Sequence, residues 1–441
     1  MQKLSPTLID RLNYLGVSSL NKMQEASMEA LSKNNNLLLL SPTGTGKTLA
    51  FLLPLLDKIA LDSNMNQAII IAPSRELAIQ INDVFKSLQT KVHSTLCYGG
   101  HSIDTEIKNL SSSPQLIIGT PGRIVDHIKH DRISPQFVHT LILDEFDKSL
   151  EVGFEEEMRV IVEQCTKLKN RVLCSATNAV RIPDFVGFDK YKELDFINQS
   201  QTNENVVLKR VISPDKDKLE TLDHLLRNIG NKSTLVFCNH RESLERVREY
   251  LDDQGFVAEI FHGKLEQNYR ESALIKFRNK SCNILIATDL AARGIDVDEL
   301  EFIVHYHIPK KLEEFTHRNG RTARMNASGT IILLQSEQEV LPDYIIDEID
   351  VWEIDRKLED IVDPLWETLF IGAGKKEKVN KIDIVGFLTN QGKINKNDIG
   401  LITVKDHFSY VAVKRDGIVS LIKKIRNEKI KKQKVKIEIA K

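Results

Sequence analysis

At 441 residues, with 41% hydrophobic and 28% charged side chains, the chain is too long for one compact core and too apolar for a disordered polymer. No apolar run approaches the roughly 20 residues of a membrane span, and the start Met-Gln-Lys-Leu-Ser-Pro lacks a signal peptide's apolar region, so a cytoplasmic protein without a membrane partner is expected. The net charge of −1 conceals 18 Lys and Arg against 8 Asp and Glu over 367–441, a net of +10 on a body at −11, the layout of a basic nucleic-acid appendage. Five cysteines, with no C-x-x-C pair, suggest neither a disulfide framework nor a thiolate zinc site.

In chain order, Ser5-Pro6 followed by Leu8, Ile9, Leu12 and Leu15 predicts a capped helix that Gly16 ends. Leu37 to Leu40 predicts a buried strand. The turn Ser41-Pro42-Thr43-Gly44-Thr45-Gly46-Lys47-Thr48 follows, its glycines letting backbone N–H groups curl round an anion. The apolar stretch 48–56 predicts a helix whose N-terminus faces that anion, with Lys47 reaching outer phosphates and the Thr48 hydroxyl on Mg²⁺. Ser41 stands where the strict pattern has glycine.

Short apolar runs recur at 68–72, 116–118, 140–143 and 172–174, then at 234–237, 284–287, 302–306 and 330–334, with helical patterns between them. That alternation predicts two α/β domains, each a mostly parallel sheet covered on both faces. The polar stretch near 198–205 separates 1–203 from 204–338. An acidic helical linker is expected over 339–366, and 367–441 reads β-α-β-β-α-β, the split βαβ order of a small α+β module.

The run Leu141-Ile142-Leu143-Asp144-Glu145-Phe146-Asp147 is an apolar strand ending in acids. Strand C-terminal ends are where α/β sheets bind ligands, so Asp144 is placed to meet the Mg²⁺ on Thr48, and Glu145 to orient and deprotonate an attacking water.

Gln24, the turn 41–48, Pro73-Ser74-Arg75-Glu76-Leu77-Ala78, Gly99-Gly100, Thr120-Pro121-Gly122-Arg123, Asp144 to Asp147 and Ser175-Ala176-Thr177 resemble, in order, the first-domain motifs of DEAD-box RNA helicases of superfamily 2. The runs 287–296 and 317–324, with His262-Gly263, Gln267 and Arg270 before them, resemble the motifs of the second domain. The resemblance implies two tandem RecA-like parallel-sheet domains plus a small α+β RRM-like C-terminal domain. It implies ATP and Mg²⁺ as cofactors, Gln24 on the adenine, Asp296 on the ribose, and Arg321 and Arg324 on the γ-phosphate beside the catalytic set Lys47, Asp144 and Glu145. Asp147, Ser175, Thr177 and His317 are implied to couple ATP to RNA, and Arg75, Gly99, Gly100, Thr120, Arg123, Gln267, Arg270 and Thr288 to hold the RNA backbone without reading sequence.

Two further departures stand out. Phe146 replaces the usual alanine, and the aromatic residue expected about seventeen positions before Gln24 is replaced by Thr7 and Leu8. In the third module, Lys381-Ile382-Asp383-Ile384-Val385-Gly386 and Asp406-His407-Phe408-Ser409-Tyr410 resemble the C-terminal RNA-binding domain of DbpA-type and CsdA-type bacterial helicases, which implies structured, often ribosomal, RNA as partner. Phe408 and Tyr410, two apart on a strand, share a face on which bases could stack. The reading is an ATP-hydrolysing RNA helicase that unwinds structured RNA in ribosome assembly or RNA remodelling. The alternative is an ATP-gated RNA clamp that nucleates assemblies and hardly unwinds.

Overall fold

The four-residue apolar runs become strands that are covered on both faces, which is why they read as nearly continuous hydrophobic stretches rather than alternating ones. The computed structural model describes residues 9, 12, 17, 19–42, 44–177, 182–197, 206–289, 300–320, 329–345, 348–355, 360–431 and 433–440. Most of the helix expected at 5–16, together with Thr43, Asp296, Arg321 and Arg324, lies outside the described residues.

The first sheet contains β1 (Asn36–Leu40), β2 (Ala68–Ile71), β3 (Ser94–Cys97), β4 (Leu116–Gly119), β5 (Thr140–Leu143), β6 (Asn170–Ser175) and β7 (Lys192–Asp195). Their order is β3-β4-β2-β5-β6-β1-β7, and every pairing is parallel. Successive residues serve opposite cores. Ala68 and Ile70 pack with Leu37, Leu39 and Phe51 on one face, while Ile69 and Ile71 pack with Leu141, Leu143 and Met158 on the other.

The second α/β unit repeats the plan. It contains β8 (Val206–Ser213), β9 (Thr234–Phe237), β10 (Ala258–Phe261), β11 (Ile284–Ala287), β12 (Phe302–His305), β13 (Gly329–Ser336) and β14 (Asp350–Val351), in the order β10-β11-β9-β12-β13-β8-β14. Strand for strand this is the first order again, so β8 corresponds to β1, β12 to β5 and β13 to β6.

The described residues of 339–366 contain no helix, contrary to the linker expected there. Instead β14 joins the sheet edge beside β8, and Trp352, Ile354 and Ile361 pack onto the second-unit core. Burial of these apolar side chains against an existing core outweighs the weak helical preference of an acidic stretch.

The third module holds β15 (Trp366–Ile371), β16 (Ile399–Val404), β17 (Ser409–Lys414), β18 (Lys429–Ile430), β19 (Gln433–Lys434) and β20 (Ile437–Ile439). Four of these strands form an antiparallel sheet, β16-β17-β15-β20. Helices Lys381–Asn390 and Ile418–Ile425 supply Ile384, Leu388, Leu421 and Ile425 to the core on one face of it. The other face meets helix Gln267–Arg278 of the second unit, with Tyr410 and Ala440 packed on Ile275. Asn279 Nδ2 donates to Thr368 Oγ1 at 3.0 Å, Ser281 also bonds Thr368, and Arg415 Nη2 donates to the Ser281 carbonyl at 3.2 Å. Among the described residues, no helix is long and apolar enough to cross a membrane.

Candidate active site and nucleic-acid contacts

The chemistry-bearing residues collect at the C-terminal ends of the strands, where a parallel sheet leaves space between its connections. Register brings three ends together: Leu40 of β1 lies opposite Ser175 of β6, Leu143 of β5 lies opposite Leu173, and the Ser41 N–H donates to the Ser175 carbonyl at 3.0 Å.

After β1 the chain turns through Gly46, whose φ of +89° is a left-handed conformation that suits glycine, and enters helix Lys47–Lys58. A Cβ on Gly46 would lie 2.6 Å from Gln24 Nε2 and would displace that amide, while the positive φ strains any other residue there. Among the described residues no side chain caps this helix, which leaves its leading N–H groups for another acceptor. Lys47 is buried and its Nζ donates to the Ser41 carbonyl at 2.7 Å. Gln24 is buried in a capping box: Oε1 accepts from the Asn21 N–H at 3.0 Å, while Nε2 donates to the Gly46 carbonyl at 3.2 Å. An amide holds two donors and two lone pairs, so each end of Gln24 keeps capacity for a ligand while the helix fixes its orientation.

The end of β5 is the most constrained point of the site. Glu145 takes φ +46° and ψ +51°, left-handed backbone that costs a non-glycine residue about 1–2 kcal/mol. Its side chain is buried and Oε2 has no hydrogen-bond partner among the described residues. Burial pushes the Asp144 carboxyl up to about 7, with Lys47 opposing and Glu145 and Asp147 adding to the rise. Buried Glu145, with one unpaired carboxylate oxygen, and Asp144, within electrostatic reach of Lys47 at the helix N-terminus, form a donor set that fits a metal-bound nucleotide. Asp147 Oδ2 accepts from Thr177 Oγ1 at 3.2 Å, and Ser175 Oγ donates to the Thr177 carbonyl at 2.7 Å, so the β5 and β6 ends are joined. Phe146 is 1% exposed and fills the core shared with Leu141, Leu143 and Met158.

The neighbouring ends β2, β4 and β3 carry a different set. Arg75 opens helix Arg75–Ser87, whose N-cap Ser74 accepts from the Leu77 N–H at 3.2 Å. Gly99 and Gly100 follow β3, and Thr120 is the N-cap of helix Pro121–Lys129, which carries Arg123. A Cβ on Gly99 would lie 3.4 Å from Arg75 Nη2, so these two segments touch. In the second unit the corresponding ends are β10 and β11. Gln267 and Arg270 lie on the helix after β10, both buried, with the Arg270 guanidinium 5.1 Å from the Phe261 ring centroid, and Thr288 follows β11.

Two buried groups gather partners from several segments. Arg318, 1% exposed, donates from Nε and Nη2 to the two Asp289 oxygens at 2.5 and 2.6 Å and from Nη1 to the His307 carbonyl at 2.6 Å, tying β11 to helix Leu312–Asn319, where His317 is also buried. Glu106, equally buried, gathers contacts from four residues of other segments. Arg318 and Asp289 fall within the runs 317–324 and 287–296, whereas Glu106 lies in no spacing that signals chemistry and motif reading misses it.

The third module corrects one expectation. Phe408 and Tyr410 do share a face, with Phe370, at ring-centroid distances of 5.6–5.8 Å. Tyr410, however, is 6% exposed, packed on Ile275 and bonded to Ser272, so its ring is a docking contact and not an open stacking platform. Lys423, Lys424, Arg426, Lys429, Lys431 and Lys434 are exposed.

Family comparison matches 21–185 to the DEAD/DEAH box helicase family, 217–326 to the helicase conserved C-terminal domain and 368–439 to the DbpA RNA binding domain. The ATP-dependent RNA helicase DbpA of Escherichia coli (strain K12) is 31% identical over 99% of this chain and 98% of its own length. ATP-dependent RNA helicase DeaD of Buchnera aphidicola is 34% identical over 76% of this chain, which spans only 56% of that longer protein. Among solved structures, S. cerevisiae Dbp5 bound to RNA and ADP BeF3 is similar with a TM-score of 0.66 at 27% identity, covering 76% of this chain and 88% of that one.

Proposed function

The chain belongs to the DEAD-box ATP-dependent RNA helicase family, and from that membership we propose that it hydrolyses ATP at the β1, β5 and β6 ends of the first unit to separate short RNA duplexes. The observation that carries the proposal is Glu145: left-handed backbone, buried, with one carboxylate oxygen unpaired. Structure of that kind persists where a reacting group must be aimed, and a carboxylate in this position suits a base that takes a proton from water.

Lys47 and the leading amides of helix Lys47–Lys58 would bind phosphate, and Gln24 would orient the base through its fixed amide. Thr48 and Asp144 would hold Mg²⁺, which when bound neutralises phosphate charge. Arg321 and Arg324 are assigned to the phosphate on the strength of the match over 217–326. The link Ser175–Thr177–Asp147 would carry the state of the phosphate site toward RNA held by Arg75, Gly99, Gly100, Thr120 and Arg123, with Gln267, Arg270 and Thr288 on the second unit and His317 in the coupling set. The exposed lysines of the third module would bind structured RNA, ribosomal RNA in the first instance, and a cytoplasmic site of action belongs to the same proposal.

Single-turnover strand separation on RNA and DNA duplexes, with and without ATP, tests this reading. ATP-dependent separation of the RNA duplex alone is expected. ATP-dependent RNA binding without separation would favour a clamp, and equal action on DNA would point to a translocase. Glu145→Gln should retain ATP and RNA together and lose roughly 100-fold or more in turnover; undiminished turnover would refute its role as base.

A further inference from the structure

Glu106 lies on helix Ile103–Leu110, outside every motif of the ATP site, yet it is 1% exposed. Oε1 accepts from the Tyr98 N–H at 3.0 Å and lies 3.0 Å from His101 Nε2. Oε2 lies 2.6 Å from His127 Nε2 and 3.4 Å from Arg123 Nε. Arg123 Nε also donates to the Tyr98 carbonyl at 3.2 Å, and the His101 ring lies 4.3 Å from that of Tyr98. One carboxylate therefore ties the loop 98–101 after β3 to the helix after β4.

We propose that Glu106 is a positioning residue for RNA, holding the Gly99–Gly100 loop and Arg123 in a single arrangement before RNA arrives. The proposal rests on the RNA-contact reading above. Gly100 has φ +96°, so the loop contains a residue with wide conformational freedom, and ordering such a segment only on binding would subtract from affinity. Charge-assisted hydrogen bonds from two segments to one buried carboxylate remove that cost in advance. Burial alone would raise the Glu106 carboxyl, but its bonds to His101, His127 and Tyr98 and the Arg123 charge bring it down to about 2, so the anchor stays ionised.

Cys97, Glu106 and His127 also lie close enough to suggest a metal. Burial raises the Cys97 thiol well above its usual value, which opposes the thiolate a metal needs, and the Arg123 guanidinium already sits on the carboxylate.

The test is RNA-stimulated ATP turnover of the full chain. Glu106→Ala should raise the RNA concentration for half-maximal stimulation roughly tenfold while ATP half-saturation moves less than about twofold. Glu106→Gln keeps the size and an acceptor for the Tyr98 N–H, so it guards against misfolding and should show a smaller rise of the same kind. In an Arg123→Ala background the effect of Glu106→Ala should shrink, because part of it acts through Arg123. Unchanged RNA half-saturation in both variants, or an equal loss for ATP, overturns the inference while the functional reading stands. Zn²⁺ that raises the Tm of the wild type but not of Glu106→Ala overturns it in favour of a metal site. A wild type that RNA does not stimulate overturns the functional reading itself.

Discussion

The two α/β units share a strand order but not a chemistry. Most candidate RNA positions fall on corresponding strand ends, after β3 and β4 in the first unit and after β10 and β11 in the second, while Arg75 follows β2 and has no counterpart after β9. The phosphate positions are not duplicated. After β1 the first unit has Gly44 and Gly46 leading into a buried lysine, while after β8 the second has Pro214-Asp215-Lys216-Asp217-Lys218 without a glycine. Lys218 is buried like Lys47, but its ammonium is taken by the Leu334 carbonyl at 2.8 Å and Glu339 at 2.9 Å. Where β5 ends in Asp144 and Glu145, β12 is followed by Tyr306 and His307. The pattern is that of a repeated frame in which candidate RNA positions occur in both units and the glycine-led lysine turn in the first, an instance of function residing in sites rather than folds.

The contrast breaks most sharply at the two lysines. Lys47→Ala should lower ATP turnover by about 100-fold or more. Lys218→Ala should instead lower stability by about 1.5–3 kcal/mol, the worth of hydrogen bonds to a charged group, with turnover changed only a few-fold. Turnover and a denaturant melt on both variants check this, and similar turnover losses would erase the distinction.

Phe146 comes next, because it ties the first site to its core. Its ring is fully buried, so Phe146→Ala, which restores the residue usual in the family, should cost about 3–5 kcal/mol through the cavity it leaves. A loss below about 1 kcal/mol in urea unfolding would mean that the site closes around the smaller residue.

Acid should separate the units more gently. Burial, aided by Arg318, lowers His305 to about 3, and burial, aided by Lys218, lowers His307 to about 4. The unfolded chain binds these protons below about pH 6.5 and the folded unit does not, so second-unit stability is full above that pH and is lost as pH falls toward 3–4. Glu106 runs in a lower window: its stabilisation is present above about pH 4.5 and is lost as pH falls toward 2. Trp352 and Trp366, the two tryptophans of the chain, both lie beyond the first unit. Tryptophan emission should therefore change at a higher pH than hydrogen exchange at β3 and β4, and the reverse order would contradict the assignment.

The smallest expected effect lies at the link between β5 and β6. Thr177→Val removes the 3.2 Å bond to Asp147 and should lower RNA stimulation of turnover by a few-fold while leaving ATP half-saturation near wild type. Parallel RNA and ATP titrations would show it.

What the sequence revealed follows from how local each signal is. The run 37–48 and the acids at 144–147 are contiguous, and most central strands are buried on both faces, so their apolar runs are unbroken, whereas the interior strand β8, with Val211 and Ser213 its buried residues, gives no such run. The edge strands β3, β7, β10 and β14 were not legible in that way: β7 is Lys-Glu-Leu-Asp and largely exposed, with only one neighbour to specify it. Glu106 escaped because its partners come from 98, 101, 123 and 127, a cluster that exists only once β3 and β4 are paired. Tyr410 was placed on the right face by its period of two, but nothing local to a strand says whether that face meets solvent or another helix.

The seat of Thr368 on Asn279 and Ser281 makes the basic module an oriented arm and not a leash. A leash governs only how often its cargo is met, whereas an arm with a fixed shoulder also governs the bearing from which that cargo arrives. Selectivity among duplexes near one anchored RNA would then be partly a matter of direction, and substitutions at that shoulder would re-aim the enzyme without weakening its grip.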